Sequence, residues 1–310
     1  MTGVHVYWTK PQLEEDKISY FNDYITQERT LILNKLLTTL SALWWKKLNG
    51  PIKLFTDKQG LDLYREYKLD LLYDEIDTEL LESYEGNPKL WTAGKIYCMG
   101  LQKLPFCFLD NDLIIRQKLK QKDLKKKVGF THWELPRGLE YQLDDKVLET
   151  SGIRSGLSLD FNSLITNTSF FYINSREFQK ILFKEHLLNY KIDSSKIDTR
   201  IWMYTDQIIP GQIIRNNRTS YFTIDNRLHI PHNSETSKEH IKFSDTNSNT
   251  KGEIPAWVLL QKSPNSGYDY EHLWIFKTRV VNNNEFFEHI TDRYREEILR
   301  EFPEMKFLCE

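Results

Sequence analysis

Cysteine is scarce in this 310-residue chain: Cys98, Cys107 and Cys309 are three, an odd number, and no two fall in Cys-x-x-Cys spacing. That excludes a disulfide framework and the common zinc patterns, and a reducing compartment is the expectation. A surplus of one charge is also missing. Lys+Arg number 42 and Asp+Glu 44, which leaves −2 with His neutral. A protein that wraps nucleic acid needs a basic excess to neutralise phosphates, so no nucleic-acid partner is expected. The first residues, MTGVHVYW, carry no basic flank or long apolar stretch of a signal peptide, and no run approaches the ~20 apolar residues of a spanning helix. The expected location is the cytoplasm. GxxxxGK, GxGxxG after a strand, GxSxG and HExxH are all absent, which removes the familiar NTPase, dehydrogenase, α/β-hydrolase and zincin signatures.

What the chain does have is core material. Hydrophobic residues make up 40%, aromatics 13% and charged residues 28%, which suits a globular fold rather than a disordered one. At roughly 100–200 residues per domain, the length allows one large domain or two ordinary ones. Period and punctuation then suggest an order of elements. A short strand is expected at 4–8, a helix at Glu28–Leu48 stopped by Asn49-Gly50-Pro51, a strand at 52–57, a short helix at 61–67, a strand at 69–73 and a helical turn at 79–84. A helix at 90–101 precedes the apolar run 105–109, read as a strand buried on both faces. Further strands are expected at 128–133 and Ile165–Ile173, a helix at 175–189 capped by Ser175, and a closing amphipathic helix at 284–302. Residues 231–253, rich in Asn, Ser, Thr, Lys and Glu, read as a mobile loop. Alternating strands and helices predict an α/β fold with a mostly parallel central sheet flanked by helices, where ligands bind beyond the carboxyl ends of strands.

Asp110-Asn111-Asp112 is the only Asp-x-Asp in the sequence, and it follows that apolar strand directly. Two carboxylates one residue apart at a strand end can converge on Mg²⁺ or Mn²⁺, leaving positions open for phosphate oxygens. The same three residues are also good turn chemistry.

The blocks Leu90-Trp91-Thr92-Ala93-Gly94-Lys95 and Pro105-Phe106-Cys107-Phe108-Leu109-Asp110-Asn111-Asp112 resemble the donor-site core of GT-A-fold glycosyltransferases. Other pieces follow in the family's order. The strand from Val4 to Thr9 resembles the nucleotide-binding first strand. Thr166-Asn167-Thr168-Ser169-Phe170 resembles the Asn-Thr-Gly strand, and Asp206-Gln207 the Asp-Gln motif of glycogenin-like and galactosyltransferase-like (family 8-type) enzymes. Glu271-His272-Leu273 with Lys277 is similar to their late His and Lys. Departures from the pattern are Ser169 in place of Gly, a late motif without its Gly, a different His-to-Lys spacing and no Lys-Pro-Trp.

The resemblance implies a single Rossmann-like GT-A domain over 1–310, with a nucleotide-sugar donor half at 1–127 and an acceptor half at 128–310. It implies a metal-dependent transfer from a nucleotide-sugar, a UDP-sugar first, to a saccharide or lipid-linked acceptor, as in bacterial surface polysaccharide synthesis. Asp110, Asp112 and His272 become metal ligands for Mn²⁺ or Mg²⁺. Trp8, Thr9, Asp57, Lys95, Asp110 and Lys277 become donor-binding residues, and Asp206, Gln207 and Asn167 catalytic ones. Retention of configuration is favoured; an inverting enzyme would need a general base, a role Asp206 or Glu271 could fill.

Each residue also has a plainer reading. Trp8 suits a base stack or the core, Asp57 a ribose contact or a turn, and Lys95 a phosphate, a pair with Asp110 or a solvated helix face. His272 is a ligand or one histidine among eight. Asp206-Gln207 interrupts an apolar stretch and needs buried partners, from a sugar or from the backbone. The lysines at 118, 120, 122, 125, 126 and 127 form a solvated face or a contact with the anionic inner face of a membrane. Two other function classes remain open: a catalytically inactive carbohydrate-binding or assembly protein, and a metal-dependent nucleotidyltransferase.

Overall fold

A computed structural model describes residues 1–13, 28–136, 144–192, 201, 204–226, 228–229, 268–273 and 277–309. The loop expected at 231–253 lies outside them. In chain order the main elements are β1 (Thr2–Tyr7), α1 (Glu28–Leu48), β2 (Ile52–Thr56), α2 (Lys58–Glu66), β3 (Glu75–Asp77), α3 (Ala93–Leu101), β4 (Phe106–Leu109), β5 (Leu113–Ile115), β6 (Val128–Glu134), α4 (Asp145–Thr150), β7 (Ile165–Ile173), α5 (Arg176–Leu187), α6 (Ile209–Asn216), β8 (Tyr221–Thr223), β9 (Leu228–His229), β10 (Tyr270–His272), α7 (Lys277–Asn282) and α8 (Asn284–Glu301). Single helical turns cover Lys10–Leu13 and Glu79–Glu82. Among the described residues no helix is long and apolar enough to cross a membrane.

Two compact units share these elements. The first collects Met1–Ser83, Cys107–Leu119 and Asp269–Glu310. Its strands lie in the order β3-β2-β1-β4, with β1 and β2 parallel in the register Val4↔Lys53 and β2 and β3 parallel in the register Leu54↔Ile76. Helix α1 supplies the largest apolar face. Leu33, Leu36, Leu37 and Leu40 are all buried, and burying each stabilises by about 1.5–3 kcal/mol relative to exposure. Strand β10 runs antiparallel to β5, pairing His272 with Leu113 and Tyr270 with Ile115, so a late segment of the sequence closes onto the residues just after the Asp-x-Asp.

The second unit collects Tyr84–Phe106 and Lys120–Tyr268. Here β6 is central, antiparallel to β7 and parallel to β8 and β9. The β6–β7 register shifts between Phe130 and His132, a local irregularity of the kind that re-aims side chains. Ser175 caps α5 by accepting from Phe178 N–H at 3.3 Å, as the sequence predicts. Helices α3 and α5 meet at Gly100, where a Cβ would come within 2.0 Å of Phe183 Cδ2. Across the two units β1–β2, β2–β3, β6–β8 and β6–β9 are parallel, so the mixed α/β class with mostly parallel strands and flanking helices is the one observed.

One predicted strand is corrected. Residues 69–73 form a 3-10 turn, Leu69–Leu72, and the edge strand is Glu75–Asp77. A strand would turn Leu69, Leu71 and Tyr73 to one face. Instead Leu69 and Leu72 are buried and Leu71 is 56% exposed, which is a spacing of three, as 3-10 geometry requires.

Candidate functional site

Strand β4 is buried along its length and ends at Leu109, directly before Asp110. The chain then makes a tight turn, closed by Leu113 N–H donating to the Asp110 carbonyl at 3.0 Å. The turn and the metal readings of Asp110-Asn111-Asp112 therefore coexist, because the turn is what brings the two carboxylates to one side. Register supplies a third donor: the β10–β5 pairing places His272 beside Leu113, one residue from Asp112. One ligand atom each from Asp110, Asp112 and His272 lie within 4.8 Å of one another. His272 Nε2 is 3.4 Å from Asp112 Oδ1, and Lys277 Nζ is 2.9 Å from Asp112 Oδ2.

Asp112 is only 6% exposed. Burial alone would raise its carboxyl, but the Lys277 ammonium and the His272 imidazole outweigh that and hold it well below the usual carboxylate range. It is thus an anion at every ordinary pH, as a ligand for a hard cation must be. Ligand atoms around an ion bound at about 2.1 Å are at most about 4.2 Å apart. The three donor atoms lie within 4.8 Å of one another, close to that limit, and two carboxylates with one imidazole suit Mn²⁺ or Mg²⁺. The donor set fits.

Glu271 precedes the histidine and anchors it. Its carboxylate accepts from Arg116 at 3.0 Å and from Tyr294 Oη at 2.7 Å, and it pairs with Arg293. Although burial pushes Glu271 up, Arg293 and Arg116 pull it lower than an ordinary glutamate. Arg116 also binds Glu297 of α8 at 2.6 Å, so β5, β10 and α8 are tied by one buried charge network.

The first strand and second helix are joined at Asp57. One oxygen accepts from Thr9 N at 2.9 Å and Thr9 Oγ1 at 2.7 Å, and the other caps α2 at Gly60 N, 2.9 Å. The carboxylate therefore positions Thr9, while Trp8 is buried.

In the second unit Lys95 is 7% exposed, not a solvated helix lysine. Within this unit it pairs with Asp206, at 3.0 Å, and donates to Thr168 O at 3.1 Å. Thr168 Oγ1 in turn donates to Asp206 Oδ1 at 2.7 Å. Asp206 and Gln207 lie in a π-helical turn, Tyr204–Ile208, that runs into α6; such turns recur at functional sites. Gln207 Oε1 is buried and has no hydrogen-bond partner among the described residues. On the neighbouring strands, Asn167 Nδ2 donates to Glu134 Oε1 at 2.8 Å, and His132 Nε2 lies 2.8 Å from the same oxygen. The His132–Glu134 pair was missed in sequence because the two residues sit within an otherwise apolar strand; polar residues at alternate positions were the available signal. The lysine-rich stretch is largely exposed, with Lys120 lying 4.8 Å from the Tyr268 ring centre.

Against known proteins, a family model described as a family of unknown function (DUF6734) matches residues 1–150. That segment holds Asp110 and Asp112 but not His272. No curated protein matches the sequence. Among solved structures the chain is similar to the galactosyltransferase LgtC in complex with donor and acceptor sugar analogues, at 12% identity over 66% of this chain and 70% of that one, with a TM-score of 0.32. It is similar also to a nucleoside-diphosphate-sugar pyrophosphorylase from Vibrio cholerae RC9, at 9% identity, 75% and 93% coverage and a TM-score of 0.40. A third is mouse xyloside xylosyltransferase 1, at 6% identity, 73% and 86% coverage and a TM-score of 0.33. At these identities and scores, function has to be argued from the residues.

Proposed function

We propose that the chain is a metal-dependent glycosyltransferase of GT-A type, acting as one domain over 1–310 on a nucleotide-sugar donor, a UDP-sugar first, and a saccharide or lipid-linked acceptor. One observation carries this reading: Asp110, Asp112, His272 and Lys277, drawn from distant parts of the sequence, converge at the end of a buried strand. A chain that only needed a turn there would not require a buried carboxylate, an imidazole and an ammonium around it.

Asp110, Asp112 and His272 would hold Mn²⁺ or Mg²⁺, which when bound supplies positive charge to the diphosphate leaving group. Lys277 adds a second cation at the same carboxylate and is placed to follow the charge onto a phosphate oxygen. Thr9, held by Asp57, and Trp8 are assigned to the nucleoside part. Lys95 is assigned to hold Asp206 in orientation. Asp206, Gln207 and Asn167 are assigned to the hydroxyls of the sugar, and a buried Gln207 carbonyl suits a hydroxyl donor. Glu271, committed to two guanidinium groups, is poorly suited to act as a base, which favours the retaining course. Contact of the exposed lysines at 118–127 with an anionic membrane surface on the cytoplasmic side belongs to the same proposal.

Thermal unfolding with UDP, GDP or CMP, each with and without Mn²⁺, tests it. One nucleotide should stabilise the wild type only when Mn²⁺ is present, by about 2.7 kcal/mol at a hundredfold excess over Kd, and Asp112→Asn should abolish the effect. No response to any nucleotide would sink the proposal. Release of free UDP from UDP-sugars then separates an enzyme from a binding protein.

A further inference from the structure

Beneath the Asp-x-Asp turn the first unit holds a run of buried polar side chains to which the proposed chemistry gives no task. Asn111 Nδ2 donates to Tyr64 Oη at 3.2 Å. The Tyr64 and Tyr73 rings pack together with their centres 5.9 Å apart. Tyr73 Oη lies 2.8 Å from His5 Nδ1, His5 Nε2 lies 3.0 Å from Ser41 Oγ, and Ser41 Oγ donates to the Leu113 carbonyl at 2.6 Å. The run starts on the side chain before Asp112 and ends on the backbone after it.

The Leu113 end has a fixed sense, and it dictates each proton back to Tyr73. A carbonyl can only accept, so the Ser41 hydroxyl proton points at Leu113. Ser41 must then accept from His5, which makes Nε2 the protonated nitrogen and leaves Nδ1 to accept from Tyr73. Tyr64, whose ring packs on that of Tyr73, accepts from the Asn111 amide, which can only donate. From Tyr73 to Leu113 each link carries one proton, provided that His5 is neutral. Burial lowers His5 to about 3, more than the attraction of Asp112 raises it, and burial likewise pushes both phenols above the ordinary tyrosine range.

We propose that His5, Tyr73, Tyr64 and Ser41 form a positioning relay that grips the Asp110–Leu113 turn from both sides and holds Asp112 in the geometry that binds a divalent cation. The inference rests on the metal reading above. It assigns to β1, α1 and α2, which supply no metal ligand, a share in cation affinity.

Mn²⁺ affinity, followed by electron paramagnetic resonance, is the measurement, with metal-free thermal unfolding on the same samples. Tyr73→Phe and Ser41→Ala each break one link without changing a proposed ligand, and each should weaken Mn²⁺ binding roughly fivefold, as the loss of one buried hydrogen bond would. Because the relay acts as a unit, the double variant should bind about as weakly as either single variant. Nitrogen-15 spectra should show His5 as the Nε2–H tautomer. Variants that melt lower but bind Mn²⁺ as the wild type does would overturn the relay alone, as would an Nδ1–H tautomer or additive losses in the double variant. A wild type that binds no Mn²⁺ would remove the metal reading and the relay's role with it.

Discussion

The Lys95–Asp206 pair shows how a single buried charge constrains its neighbours. Both side chains are buried, so neither can lose its partner cheaply. Lys95→Met should destabilise the protein by about 3–5 kcal/mol in urea unfolding, since it leaves a carboxylate without its cation. Lys95→Met with Asp206→Leu should recover most of that loss, because two apolar groups carry no unpaired charge. A double variant no more stable than the single one would mean that Asp206 is held by Thr168 rather than by the lysine. If Asp206 orients a sugar, the double variant should regain stability without regaining activity, which separates the two roles of one residue.

Elements differ in how plainly the sequence announces them. Helix α1 is expected at Glu28–Leu48 and found there, because its leucines repeat at helical spacing and Asn49-Gly50-Pro51 stops it. Strand β7 is found over the predicted Ile165–Ile173. The 3-10 turn at Leu69–Leu72 was not legible, since a four-residue run of apolar character has too few positions to tell a period of two from one of three. Nor was the pairing of Lys95 with Asp206, which joins distant segments of the sequence. His186, near the end of α5, gives an element-scale prediction. Burial lowers it to about 4, with Tyr84 Oη 3.0 Å from its Nε2. An unfolded imidazole protonates near 6.5, so between pH 6.5 and 4 the unfolded chain binds more protons and stability falls as the pH drops. The contribution is present in full above that window, and about 3 kcal/mol of it has been lost by its lower end. In His186→Gln the fall in Tm across the same range should be shallower than in wild type; an unchanged slope would mean that other groups govern acid unfolding.

At the scale of the molecule, the first unit is assembled from three separated stretches, and residues 269–310 belong with residues 1–83. A chain shortened to 1–268 would lose β10, α7 and α8. It would also leave Arg116 without Glu271 and Glu297, and expose the α1 surface that α8 covers. It should unfold without a cooperative transition, or at a Tm well below that of the full chain, and should bind Mn²⁺ far more weakly. Wild-type behaviour from residues 1–268 would exclude His272 as a ligand. The pairing of β10 with β5 also bears on synthesis. Asp110 and Asp112 leave the ribosome long before His272 and Lys277, and domains tend to fold as they emerge. The site is therefore completed only when the segment carrying the imidazole and ammonium pairs with β5. Translation rate and free divalent cation during that interval become variables that should affect the yield of native protein.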